Sequence, residues 1–160
     1  MAPWIPYLLF LHVMGAILAF GPTFAYSVMG AMAGREPQHA NFSARQVEAI
    51  GNRLVYPLAI FQGVTGVVLI WATSLDLRAA TWLGISIVLY AIALTFALTV
   101  QRSALLRLIA LTSTPPAPGS PPSPEIPATV RKIRRGGMFT GVLVVVIVFL
   151  MVVKPTLGTF

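Results

Sequence analysis

The chain has 160 residues, 57% of them hydrophobic and only 9% charged, where soluble domains carry about 25% charged residues. That shortage excludes an ordinary water-soluble domain and makes lipid the expected solvent. The formal net charge of +7 would suit a nucleic-acid binder, but the basic residues cluster at the ends of apolar runs, and the absence of cysteine excludes disulfides, thiolate metal sites and cysteine nucleophiles.

The first apolar stretch spans about residues 4–33. No Lys or Arg precedes it, so a retained span is expected rather than a cleaved signal peptide. At about 1.5 Å rise per residue it is longer than the roughly 30 Å hydrocarbon core. Gly21-Pro22 inside it predicts a kink that helps the excess length fit. The polar segment from Gly34 to Arg53 follows. Its second half, from a Ser43 N-cap, predicts a short amphipathic helix at the surface.

The second span covers 54–73 and is followed by a short turn with Asp76 and Arg78. The third covers 82–100, and its apolar pattern continues to about residue 112, so this helix is expected to project beyond the bilayer. Residues 114–127 are proline-rich and read as an extended cytoplasmic linker. Arg131-Lys-Ile-Arg-Arg135 then leads into the fourth span, 137–153. Its run of Val and Ile would suit a strand in water. The need to satisfy every backbone group within lipid selects a helix.

Arg35, Arg45, Arg53, Arg102, Arg107, Arg131, Lys132, Arg134 and Arg135 fall on one side of this arrangement, and Arg78 and Lys154 on the other. The basic side is expected to be cytoplasmic. Trp4, Trp71 and Trp82 then gather at the outer interface, as an aromatic belt does. The expected fold is an all-α, four-helix transmembrane bundle with both termini on the outer side. It forms a single integral membrane domain over 1–160, multi-pass in a bacterial plasma (inner) membrane.

His12 is the ionisable side chain that stands out, because it lies deep inside the first span, where burial of such a group is costly and points to a role. Steps of three and four from it meet Gly15, Ala16, Ala19, Thr23, Tyr26 and Gly30. These small or hydroxylated residues form the kind of face that packs against other helices in lipid. The second span carries Ala59, Gln62, Gly63, Gly66 and Thr73 in a similar stripe, and the third carries Ser86, Tyr90, Ala93 and Ala97. His12 lies about 12 Å below Trp4, and Gln62 about 13 Å from Arg53. Both therefore sit near the midplane, and a polar pocket of His12 and Gln62, with Tyr90 as a third member, is expected.

Three roles for this pocket stay open. His12 can fix helix register through interhelical hydrogen bonds. It can ligate haem or a metal, as imidazole commonly does. It can belong to a proton or ion path. No second histidine lies within the spans: His39 falls in the polar loop. The acidic residues Glu36, Glu48, Asp76 and Glu125 all fall in loops, so no carboxylate pair lies in the membrane, and neither a Ser/His/Asp arrangement nor a phosphate loop is assignable. Gly63-x-x-Gly66 is a helix-packing signal.

The motif Leu11-His-Val-Met-Gly-Ala-Ile-Leu-Ala-Phe-Gly21, the four spans and the ending Met151-Val-Val-Lys-Pro155 resemble a family of bacterial "predicted integral membrane proteins" of unknown function. This likeness covers most of the chain. The His-containing first helix is also similar to the membrane domain of CopD-type copper-resistance proteins and to HemJ-type protoporphyrinogen oxidases. The resemblance implies that His12 stands at the motif histidine that ligates haem in the oxidases. The oxidases' third-span lysine has no counterpart, since Trp82 to Val100 contains none. Lys154, at the end of the fourth span, is expected to snorkel to the interface.

The expectation is a small membrane protein of uncharacterised role that holds haem b or a similar redox ligand through His12, with Gln62 and Tyr90 lining the pocket. The alternatives are a structural or accessory subunit without a cofactor, and a proton or ion conduit. The expected partners are the lipid bilayer and a homo-oligomer or larger membrane complex, not nucleic acid.

Overall fold

Four apolar runs account for the architecture. The computed structural model describes residues 2–77, 79–113 and 123–155. Among these, four continuous helical runs are long and apolar enough to cross a membrane: Ile5–Arg35, Pro37–Thr73, Thr81–Thr112 and Glu125–Val153. The protein is thus an all-helical, multi-pass bundle.

Helix α1 is the whole first run, Ile5–Arg35. Pro22 lies inside it without ending it. Thr23, the next residue, donates its hydroxyl to the Phe20 carbonyl at 2.6 Å. A 3₁₀ turn, Pro37–His39, leads into α2, Ala40–Ile50. A π-helical turn, Gly51–Val55, joins α2 to α3, Tyr56–Thr73. Helix α4, Thr81–Phe96, is joined by a second π turn, Ala97–Gln101, to α5, Arg102–Thr112. Helix α6 is Glu125–Val153.

Two boundaries differ from the sequence expectation. The amphipathic helix does not start at a Ser43 cap: α2 begins at Ala40, and the Ser43 hydroxyl instead reaches back to the Met29 carbonyl of α1 at 3.4 Å. Nor does α2 lie alone on the surface. Asn41 donates to the Ile109 carbonyl and the Thr112 hydroxyl of α5, both at 3.0 Å. The expected linker 114–127 lies outside the described residues up to 122, but its last residues are helical, because α6 starts at Glu125. Pro127 fits there, since a first-turn N–H has no partner within the helix to lose. The Ser123 hydroxyl accepts a bond from the Glu125 N–H at 3.3 Å, which helps to start the helix.

Helix α1 packs mainly against α3, and α4 mainly against α6, with a lesser contact between α1 and α6. Beyond the apolar lengths, α2, α5 and the start of α6 form a further layer, where Arg107 pairs with Glu125 at 2.5 Å. Small side chains supply much of the interior: Ala19, Ala59, Ser86, Ala93 and Ala104 are buried, as are Gly15 and Gly136, beside larger residues such as Leu83, Val144 and Leu150. Large apolar residues such as Phe10, Ile17, Val67, Val142 and Val152 point outward. Soluble bundles keep such residues inside. In lipid, the outward faces meet a solvent as apolar as themselves, and small residues let the backbones approach.

The two ends of the bundle differ in character. At one end, Lys154 caps α6 in the left-handed conformation, and its ammonium stands 5.7 Å from the Trp82 ring centre. The opposite end carries Arg35 at the end of α1, Arg53 and Arg102 at the two π turns, and the basic start of α6.

Candidate functional site

Helix α1 presents His12, Gly15 and Ala19 along one face, at the i, i+3 and i+7 positions of a single stripe. Helix α3 presents Gln62, Thr65 and Gly66 in return. Two glycines make the close approach possible. A Cβ on Gly15 would come within 2.9 Å of Gln62 Oε1 and 3.3 Å of the Phe61 ring. A Cβ on Gly66 would come within 3.3 Å of His12 Cε1. Each helix thus gives up a side chain where the other inserts a polar one.

The polar atoms form one connected chain. His12 Nδ1 lies 2.8 Å from Thr65 Oγ1, and His12 Nε2 lies 2.9 Å from Gln62 Nε2. Thr65 Oγ1 also lies 3.0 Å from the Phe61 carbonyl and 3.1 Å from the Gln62 carbonyl. One assignment satisfies all of these contacts. The Gln62 amide donates to Nε2, His12 donates from Nδ1–H to the Thr65 oxygen, and the Thr65 hydroxyl donates to a carbonyl one turn back. His12 is then neutral, with its proton on Nδ1. Gln62 and Thr65 are buried, at 9% and 4% exposure, so the chain is closed off on the α3 side. One atom is left over: Gln62 Oε1 is buried without a hydrogen-bond partner among the described residues.

In this arrangement neither imidazole nitrogen is free. Coordination of haem iron at Nε2 would require the Gln62 amide to turn away. Among the described residues, no group of three His, Cys, Asp or Glu side chains stands close enough to hold a metal ion. His39 lies at the surface, 3.8 Å from Glu36.

The structure brings His12 and Gln62 together and places Tyr90 elsewhere. The Tyr90 hydroxyl donates to the Ala59 carbonyl at 2.6 Å and lies against Gly63, where a Cβ would come within 2.8 Å of it. By helical spacing this is about a quarter turn round α3 from the His12 contact. Tyr90 therefore ties α4 to α3, while His12 ties α1 to α3.

Sequence reasoning missed two residues. Thr65 lies three residues after Gln62, so the stripe that selected Gln62 also contained it. Gln101, in the second π turn, donates to the Ile133 carbonyl of α6 at 2.8 Å and lies in close contact with Gly136. Phe96 and Phe139 meet edge to face nearby, with ring centres 5.1 Å apart. The signal for this second junction was the Gly136-Gly137 pair, which marks where α6 lets another helix approach.

The residues from the start of α1 to just beyond α6 match one known family. Residues 6–155 match the family described as Predicted integral membrane protein (DUF2269). The chain belongs to this family. The match takes in all four membrane-length helices, the His12 cluster and the Lys154 cap of this DUF2269 protein. No curated protein and no solved structure matches the chain.

Proposed function

We propose that this DUF2269 protein is a non-catalytic structural or accessory subunit of a bacterial inner membrane, with His12 serving as a clasp between its first two spans. The observation that carries this reading is the double engagement of the imidazole, by Gln62 at 2.9 Å and Thr65 at 2.8 Å, with Gly66 against the ring and Gly15 against Gln62. The basic end faces the cytoplasm and both termini face outward, in line with the positive-inside bias. The outward face of α6, with Val142, Val145, Phe149 and Val152, is the surface offered to lipid or to a partner helix.

A second reading keeps His12 as an axial ligand to haem b. What favours it is Gln62 Oε1, a buried acceptor beside the imidazole without a partner among the described residues, as a cluster arranged for a different state would leave. One experiment separates the two. The protein is purified in mild detergent, supplemented with haem, and its absorption spectrum recorded with and without dithionite, alongside His12→Ala. A colourless wild type and a less heat-stable variant support the clasp. A Soret band that His12→Ala abolishes overturns it in favour of the ligand role.

A further inference from the structure

Outside the His12 cluster, the feature with the most developed chemistry is a groove of about 640 Å³ between α4 and α6 at the basic end. Ile92, Phe96 and Phe139 form its apolar wall, and Arg131, Lys132 and Arg135 form its lip. The spacing i, i+1 and i+4 puts the three cations on one side of α6, and the extra helical turns before the apolar run hold them there. From Arg131 to Phe139 the groove descends about 12 Å along the helix. Among the described residues, none of the three cations forms an ion pair: Glu125, the acidic residue of α6, is taken by Arg107. An uncompensated positive rim therefore stands above an apolar slot that opens to the bilayer.

We propose that this groove is a seat for an anionic phospholipid, with the headgroup phosphate between Arg131, Lys132 and Arg135 and an acyl chain along Ile92, Phe96 and Phe139. Charge complementarity selects the occupant. A zwitterionic lipid would leave the rim uncompensated, and a neutral apolar helix would bury three unpaired cations. Basic pockets between membrane helices hold acidic lipid heads by the same logic. The seat lies at the α4–α6 junction made by Gln101 and the Phe96–Phe139 pair, so a bound lipid bridges the two helices.

The test is native mass spectrometry of the full chain in mild detergent, titrated with phosphatidylglycerol or phosphatidylcholine. Phosphatidylglycerol is expected to bind selectively. The combined variant Arg131→Gln, Lys132→Gln, Arg135→Gln is expected to bind it roughly 100-fold more weakly, taking about fivefold per basic side chain at an anionic surface. A control with equal charge removed, Arg35→Gln, Arg45→Gln, Arg53→Gln, is expected to keep wild-type binding. Ile92→Trp, which fills the slot and leaves every charge in place, is expected to weaken binding as well. Equal loss in the two charge variants, no preference over phosphatidylcholine, displacement by millimolar inorganic phosphate, or full binding in Ile92→Trp would each overturn the proposal. None of these readouts depends on His12.

Discussion

At the scale of single residues, the His12 cluster is an exchange of small for polar side chains across one helix pair. Removing the imidazole strands the Gln62 amide and the Thr65 oxygen in a closed contact. His12→Ala is therefore expected to cost about 2 kcal/mol, in the range for orphaned buried polar groups. Thr65→Val keeps the shape and removes one acceptor, and is expected to cost only about 0.6 kcal/mol, the average for an interhelical polar bond in lipid. Gly66→Leu drives a side chain into the imidazole and is expected to cost about 1–3 kcal/mol by overpacking. Reversible unfolding in mixed micelles measures all three. A Gly66→Leu variant as stable as wild type would show that the close approach of α1 and α3 is not needed. His12 and Gln62 were legible because depth counted from Trp4 and Arg53 placed them at one level. Thr65 was not. A threonine within a membrane helix ordinarily bonds its own i−4 carbonyl, and here it does so to Phe61 while also accepting from His12.

At the scale of elements, the membrane lengths were legible because a run of apolar residues long enough to cross lipid has few other uses. The joints were not. Gly51–Val55 and Ala97–Gln101 continue their helices as π turns, and no composition shift marks them. The short helix expected at the surface also packs on α5. That follows from Asn41, a polar residue whose partners lie 68 and 71 positions away and so leave no local trace. Asn41→Ala is expected to loosen α2 from α5 and raise amide hydrogen exchange across 40–50 while exchange in α3 stays slow. At the other junction, Gln101→Leu is expected to cost about 1 kcal/mol through the lost bond to Ile133. Equal protection of α2 in the Asn41 variant would show that apolar packing alone holds that layer.

At the scale of the whole molecule, the basic and aromatic ends make orientation a direct prediction. The chain contains no cysteine, so single cysteines report sidedness without background. Leu75→Cys is expected to react with an impermeant maleimide added to intact cells, and Arg45→Cys only after the cells are opened. The reverse pattern would invert the topology. The stronger pairing of α1 with α3 and of α4 with α6 has a consequence for how the molecule is made. Each pair is a hairpin of consecutive spans, so the His12–Gln62–Thr65 contact needs nothing that follows Thr73 in the chain. The first half can lock while the second is still inside the ribosome. Docking the halves is then a late event that rests on α2 packing on α5 through Asn41, on Tyr90 reaching Ala59 and on the lighter contact of α1 with α6. Two polypeptides divided in the turn after Thr73 and expressed together would reassemble, with Tyr90→Phe slowing the union and leaving each half intact.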